Sequence, residues 1–359
     1  MTIVLISSNA STTLGCRLLA DALRGMGESC ITAGKPGETR LQAHPPSALE
    51  VDLEIGAMEF LNTPLLWSAT AIGLFVSTSE FNKFAKVYRQ LCRLQNRKPA
   101  PLFTGPPFPL VGDALVTDLM ERQSADLVMV HGPRQLQEAE AMTFQWAEPF
   151  PTLVEAGFWF MPERPPVGLL HRPGPQEPPH TLLVIGQGSV PASDTMKLDL
   201  FRRLWTWSRQ NEESDQSCSW TVKIAMDHRR DDPSSWTKDK RRKSANKPRN
   251  LSFASQESLL DLIAQCSVCL SFSSPWLFSA AAWGKPIIAV GDYGFRRELG
   301  SALFLGSGCM HNLDEITELD DFLTLPMANE QWLQSNGWAV HDGPKRLLQA
   351  LERLQEVPS

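Results

Sequence analysis

A chain of 359 residues is too long for one ordinary domain and suits two of roughly 150 residues each. With 42% hydrophobic and 21% charged residues it has a globular composition, which excludes an intrinsically disordered chain. A formal charge of −6 excludes a general attraction to nucleic acid, so any anionic partner must be held locally.

The chain opens on β-branched, apolar Thr2 to Ile6. Small polar residues follow from Ser7 to Thr13, and then Leu14, Leu18, Leu19, Ala22, Leu23 and Met26 recur at helical spacing. Strand, polar loop and helix form the first unit of a parallel sheet, and Ser8 and Asn9 line the loop where such sheets meet ligands. No basic leader or small-residue cleavage site precedes the strand, so a cytoplasmic protein is expected.

Further strands are predicted at Val51 to Ile55, Ile72 to Val76, Leu102 to Thr104 and Leu127 to Val130, with a helix over Lys83 to Leu94 among them. Glu80 and His131 each follow one of these strands and are candidate acid-base groups. The longest apolar stretch, Leu65 to Val76, is broken by Ser68 and Thr70 and falls short of the roughly 20 residues of a bilayer span.

Between Met161 and His180 lie seven prolines, which fix φ and remove backbone donors. That stretch reads as a stiff connector. The predicted organisation is a Rossmann-like domain over 1–160, the linker over 161–180, a second Rossmann-like domain over 181–342, and a C-terminal helix over 343–359.

The opening phrase recurs after the linker. Thr181 to Ile185 is a strand, Gly186-Gln187-Gly188-Ser189 a loop, and Asp194 to Gln210 a helix carrying Leu198, Phe201, Leu204 and Trp205. Two such openings imply two separately wound α/β sheets. Strands then follow at Trp220 to Ala225, Leu251 to Phe253, Val268 to Phe272 and Ile287 to Val290, with helices at Glu257 to Gln265 and Trp276 to Trp283. The last helix, Pro344 to Gln355, sets Leu347, Leu348, Leu351 and Leu354 on one face, so it packs against a domain.

Four loops of this half carry candidate chemistry. Glycines in Gly186 to Ser189 let backbone N–H groups approach a phosphate at a helix N-terminus, although the same text also makes a tight turn. Ser273 and Ser274 can cap the following helix or hold an anion, because both roles use the same orphan donors. His228, beside Arg229 and Arg230, can neutralise a diphosphate or protonate a leaving group, or lie in a solvated loop. Asp292, between Gly291 and Tyr293, either caps a turn or reaches a cleft.

The run from Lys238 to Arg249 holds seven basic residues and one acid, which suits a solvated loop or peripheral contact with anionic lipid at the inner membrane face. Seven scattered cysteines suit packed thiols better than a disulfide framework. Cys266 and Cys269 have redox-motif spacing but lack a second pair to complete a zinc site, so no metal site is expected.

Cys269-Leu-Ser-Phe-Ser-Ser274, Ala280-Ala-Ala-Trp-Gly284-Lys-Pro286, Gly291-Asp-Tyr-Gly294 and Phe304-Leu-Gly-Ser-Gly308-Cys, with Gln187-Gly-Ser-Val-Pro191, resemble a bacterial glycosyltransferase family of cyanobacteria and actinobacteria. A strand, Ser-Ser, a helix and Gly-Lys-Pro are similar to the donor end of GT-B enzymes, including those that make capsules and lipopolysaccharide. The resemblance implies two Rossmann-like lobes facing across a cleft, with a nucleotide sugar as donor substrate and no bound cofactor.

By that likeness Gln187, Gly188, Ser189, Lys223, His228, Ser273 and Ser274 serve the donor, and a glycan or lipid-linked acceptor meets the first half near Ser8 and Asn9. Relatives carry a glutamate that accepts ribose hydroxyls where this chain has Ser279, and a serine cannot give that bidentate set. The implied activity is sugar transfer in cell-surface polysaccharide synthesis. A sugar-nucleotide 2-epimerase or a catalytically degenerate binding protein of the same fold stands as the alternative. On this reading Ser273 and Ser274 must border a crevice, and burial remote from any crevice would end it.

Overall fold

The alternation of strand and helix folds, in a computed structural model, into two six-stranded parallel sheets. The structure describes residues 1–35, 50–143, 150–165, 179–187, 191, 193–214, 219–226, 247–254, 257–292, 300–338 and 340–356. By packing they form two compact units: the described residues up to Pro162 with those from Gln334 onward, and the described residues from Glu163 to Leu333.

The first unit runs β1 (Thr2–Ser7), α1 (Ala10–Gly25), β2 (Ser29–Gly34), a one-turn α2 (Ala57–Phe60), β3 (Ala71–Phe75), α3 (Thr78–Leu94), β4 (Leu102–Thr104), α4 (Asp113–Glu121), β5 (Leu127–Val130), α5 (Pro133–Thr143) and β6 (Thr152–Glu155). Its strand order is β2-β1-β3-β4-β5-β6. Both faces of such a sheet are covered, so its strands are continuous apolar runs rather than alternating ones. Every residue of β3 and β5 is buried accordingly. In α3, Phe81, Phe84, Ala85, Tyr88 and Cys92 fall on one helical face and bury it.

Val51 to Ile55, expected as a strand, contributes only the isolated bridge between Ala33 and Leu53. The Asp52 carboxylate takes the Thr32 N–H at 2.7 Å and the Thr32 hydroxyl at 2.9 Å, where a strand would offer its backbone carbonyl. The ladder therefore stops after one residue.

The second unit runs β7 (His180–Gly186), α6 (Asp194–Glu213), β8 (Trp220–Met226), β9 (Leu251–Phe253), α7 (Leu259–Gln265), β10 (Val268–Ser271), α8 (Trp276–Ala282), β11 (Ile287–Val290), β12 (Met310–His311) and the start of α9 (Glu330–Ser335). The order is β12-β11-β10-β7-β8-β9, all parallel. Leu182, Val184, Trp220, Val222, Ile224 and Leu270 build its core with Trp207 and Phe322.

From Gln334 the chain returns to the first unit and ends in α10 (Gly343–Glu356), whereas the sequence had grouped 334–342 with the second half. Leu347 and Leu351 of α10 are fully buried, and Gln355 Nε2 donates to the Thr70 carbonyl at 2.7 Å. This return needs backbone-to-backbone contact: a Cβ on Gly343 would lie 1.8 Å from the Ala156 carbonyl oxygen. Among the described residues no helix is long and apolar enough to cross a membrane. The six described cysteines are buried and unpaired, and no group of three His, Cys, Asp or Glu side chains is placed to hold a metal ion among the described residues.

Candidate functional site

In the second sheet the chain winds from β7 through β8 to β9 on one side, then returns to add β10, β11 and β12 on the other. The strand order thus reverses between β7 and β10, and the carboxyl ends of two strands at such a switch point are where open α/β sheets hold their ligands. Gln187 leaves β7, and Ser273 and Ser274 leave β10. Two loops singled out separately in the sequence therefore meet at one switch point.

They meet by hydrogen bonds. Gln187 Oε1 accepts the Ser273 N–H at 3.0 Å and the Ser273 hydroxyl at 3.3 Å. Ser274 Oγ accepts the Trp276 N–H at 3.4 Å at the entry to α8. The two serines are only 4% and 0% exposed, so their hydroxyls do not lie open to a ligand in this conformation, as the sequence reading required. The reason is local satisfaction: the Trp276 N–H reaches the hydroxyl of one serine, and the carboxamide oxygen takes the donors of the other.

Ser279 lies within α8, fully buried, and its Oγ has no hydrogen-bond partner among the described residues. Such an orphan hydroxyl costs about 1–3 kcal/mol relative to a satisfied one. Lys223 sits within β8 and pairs with Glu257 before α7, so its charge is already neutralised. Asp292 Oδ2 accepts the Leu313 N–H at 2.6 Å, so it ties the end of β11 to the segment after β12 rather than capping a local turn. Gly188, Ser189 and His228, with residues 238–246 of the basic run, lie outside the described residues.

His311 escaped the sequence reading because it ends a two-residue strand, too short to show periodicity. Its Nε2 is buried without a partner among the described residues, and its Nδ1 lies 3.9 Å from Glu315 Oε2. It stands two strands from β10, about 10 Å away at ordinary strand spacing.

The first sheet has its own reversal between β1 and β3. Ser8 and Asn9 leave β1, and Glu80 lies in the first turn of α3 after β3, so three candidates gather at one switch point. Asn9 is the N-cap of α1, its side chain accepting the Thr12 N–H at 3.0 Å. Glu80 is half-buried and its backbone N–H donates to Ser77 Oγ at 3.3 Å, which leaves its carboxylate outside the cap.

His131, after β5, is fully buried, with Nδ1 2.9 Å from the Gly157 carbonyl oxygen and Nε2 3.0 Å from that of Pro106. Burial disfavours the imidazolium more than these carbonyls favour it, and the pKa falls to about 4. A neutral ring donates through only one nitrogen, so the other contact opposes two lone pairs. A ring so enclosed offers no base to an acceptor in this conformation.

A family model described as "Putative glycosyltransferase (DUF6716)" matches residues 76–354. No curated protein matches the sequence. Among solved structures, a "putative UDP-N-acetylglucosamine 2-epimerase" from Listeria monocytogenes is similar at 12% identity and a TM-score of 0.63, covering 100% of this chain and 97% of that one. The UDP-GlcNAc 2-epimerase from Neisseria meningitidis bound to UDP-GlcNAc is similar at 10% identity and 0.59, covering 98% and 100%. The spinosyn forosaminyltransferase SpnP is similar at 13% identity and 0.50, covering 99% of each chain. At such identities the likeness is one of fold, the two-sheet GT-B architecture.

Proposed function

The chain belongs to the Putative glycosyltransferase (DUF6716) family, and from that premise we propose that it transfers a sugar from a nucleotide-sugar donor to a glycan or lipid-linked acceptor in cell-surface polysaccharide synthesis. One observation carries the placement of the donor: a neutral carboxamide oxygen of Gln187 occupies the Ser273 donors at the switch point of the second sheet. A phosphoryl oxygen accepts from the same groups and, being charged, makes the stronger bonds. The donor diphosphate displaces Gln187 and takes the Ser273 N–H and hydroxyl.

As the glycosidic bond breaks, negative charge grows on the diphosphate, and main-chain N–H groups already aimed there stabilise it without requiring a metal ion. Gly188 and Ser189 approach the phosphate or the sugar, and His228 supplies positive charge. Lys223 joins them only when Glu257 releases it. Ser279 Oγ, without a partner among the described residues, accepts or donates one bond to the ribose. The acceptor is held by the first unit, with Glu80 as its candidate base because that carboxylate is not consumed in capping. The basic run over 238–249 draws the protein to an anionic membrane surface.

Incubation with UDP-sugars in the absence of acceptor tests this reading. Slow release of free nucleotide supports transfer. Isomerised donor would instead establish the epimerase chemistry of proteins that share the fold. Absence of both, together with a nucleotide-induced rise in melting temperature, would mark a protein that binds donors without turnover.

A further inference from the structure

The first unit contains a cavity of about 740 Å³ at the amino ends of its strands, away from Ser8 and Glu80. Thr70, Pro101 and Asp126, which precede β3, β4 and β5, line it, and its wall is mainly Leu66, Ala69, Tyr88, Cys92, Pro99 and Leu354. Small-molecule sites run from about 300 to 1,000 Å³ and are predominantly apolar with a few placed polar groups.

Most polar groups here are already committed. Tyr88 Oη accepts the Ala100 N–H at 2.7 Å, and Thr70 Oγ1 accepts the Thr2 N–H at 2.8 Å. Asp126 accepts from Arg89 at 3.1 Å and from the Leu102 N–H at 2.7 Å. Arg97 differs: its exposed guanidinium sits 5.0 Å from the Trp67 ring centroid, and no carboxylate among the described residues pairs with it. Lys98 lines the cavity beside it.

The charge balance limits the ligand. Helix α3 ends at Leu94 just before these cations, and the carbonyls of a helix C-terminus repel anions. A nucleoside diphosphate needs helix N-termini, which in this fold lie at the other edge of the sheet. A single negative charge on an apolar body needs only Arg97.

We propose that this cavity binds a single-chain amphiphile with one anionic headgroup, its alkyl chain along Leu66, Tyr88 and Leu354 and its head on Arg97, with Lys98 adjacent. This site is independent of the donor reading. Calorimetric titration of the full chain with decanoate, decanol and decyltrimethylammonium, all below their micelle concentrations, tests it.

Decanoate is expected to bind one to one and about tenfold more tightly than decanol, the worth of one charge-assisted contact. Arg97→Gln, at an exposed position, is expected to erase that preference while leaving the melting temperature and decanol binding unchanged. Equal affinity for the three headgroups, decanoate binding indifferent to Arg97→Gln, or no saturable binding at all would overturn the proposal.

Discussion

At the switch point of the second sheet Gln187 holds with a neutral oxygen two donors that a charged oxygen would hold more firmly. Replacing it by glutamate separates the structural from the binding role. In Gln187→Glu the carboxylate makes charge-assisted bonds to Ser273, so stability at pH 7 should hold or rise by about 1 kcal/mol. The same charge repels a diphosphate, and calorimetry should show nucleoside diphosphate affinity reduced about tenfold or more. Undiminished affinity would remove the diphosphate from these donors.

Ser279 gives a second test, because its hydroxyl has no hydrogen-bond partner among the described residues. Ser279→Ala should be neutral or stabilising in urea unfolding, yet weaken donor binding severalfold by losing one ribose bond. Unchanged donor affinity would return the position to core packing.

His131 makes a prediction in pH. Its folded pKa of about 4 lies below the unfolded value near 6.5, so the native state resists a proton that the unfolded chain accepts. Its contribution is present above about pH 6.5 and is lost as pH falls towards 4, with a slope of up to about 1.4 kcal/mol per unit. Urea unfolding of the wild type and of His131→Asn over that range should show the slope reduced in the variant by this one proton. Equal slopes would mean that the Gly157 and Pro106 carbonyls fully offset burial.

Among the elements, α10 is the clearest case of a segment whose place depends on contacts distant in sequence. Its leucine face was legible, since Leu347, Leu348 and Leu351 repeat at helical spacing. Its partner was not, because the glycines that admit it, Gly132 against Gly337 and Gly343 against Ala156, act through tertiary approach and leave no local pattern.

Leu351→Ala should cost about 2–5 kcal/mol in denaturant unfolding as a fully buried large-to-small change. Gly343→Ala should also destabilise, since its Cβ meets a carbonyl oxygen rather than a movable side chain. Full stability in both variants would contradict the docking of α10 on the first unit.

Strands with continuous apolar text, such as Leu127–Val130 and Ile287–Val290, matched the structure because burial on both faces dictates their composition. β2, with Ser29 and Thr32 in its text, and β12, with two residues, carry too little of that signal. The candidate site was half legible. Gln187 and Ser273 were identified as neighbours of strand ends, but only strand order brings β7 beside β10, and strand order is not written in either segment.

At the scale of the whole molecule two doubly wound sheets follow from the repeated strand, polar loop and helix at Thr2 and Thr181, which the family match and the structural likenesses bear out. A nucleotide that binds the native state alone stabilises it by about 2.7 kcal/mol at 100 times its dissociation constant, so a panel of nucleotides should separate the true donor class by melting temperature. The central claim is narrower, that phosphate is held between the ends of β7 and β10.

A crystal structure of the full chain with UDP bound measures this directly. The account predicts a diphosphate oxygen within hydrogen-bond reach of the Ser273 N–H, with the Gln187 carboxamide moved off it. A diphosphate seated away from these strand ends, with the bond between Gln187 and Ser273 intact, would contradict it.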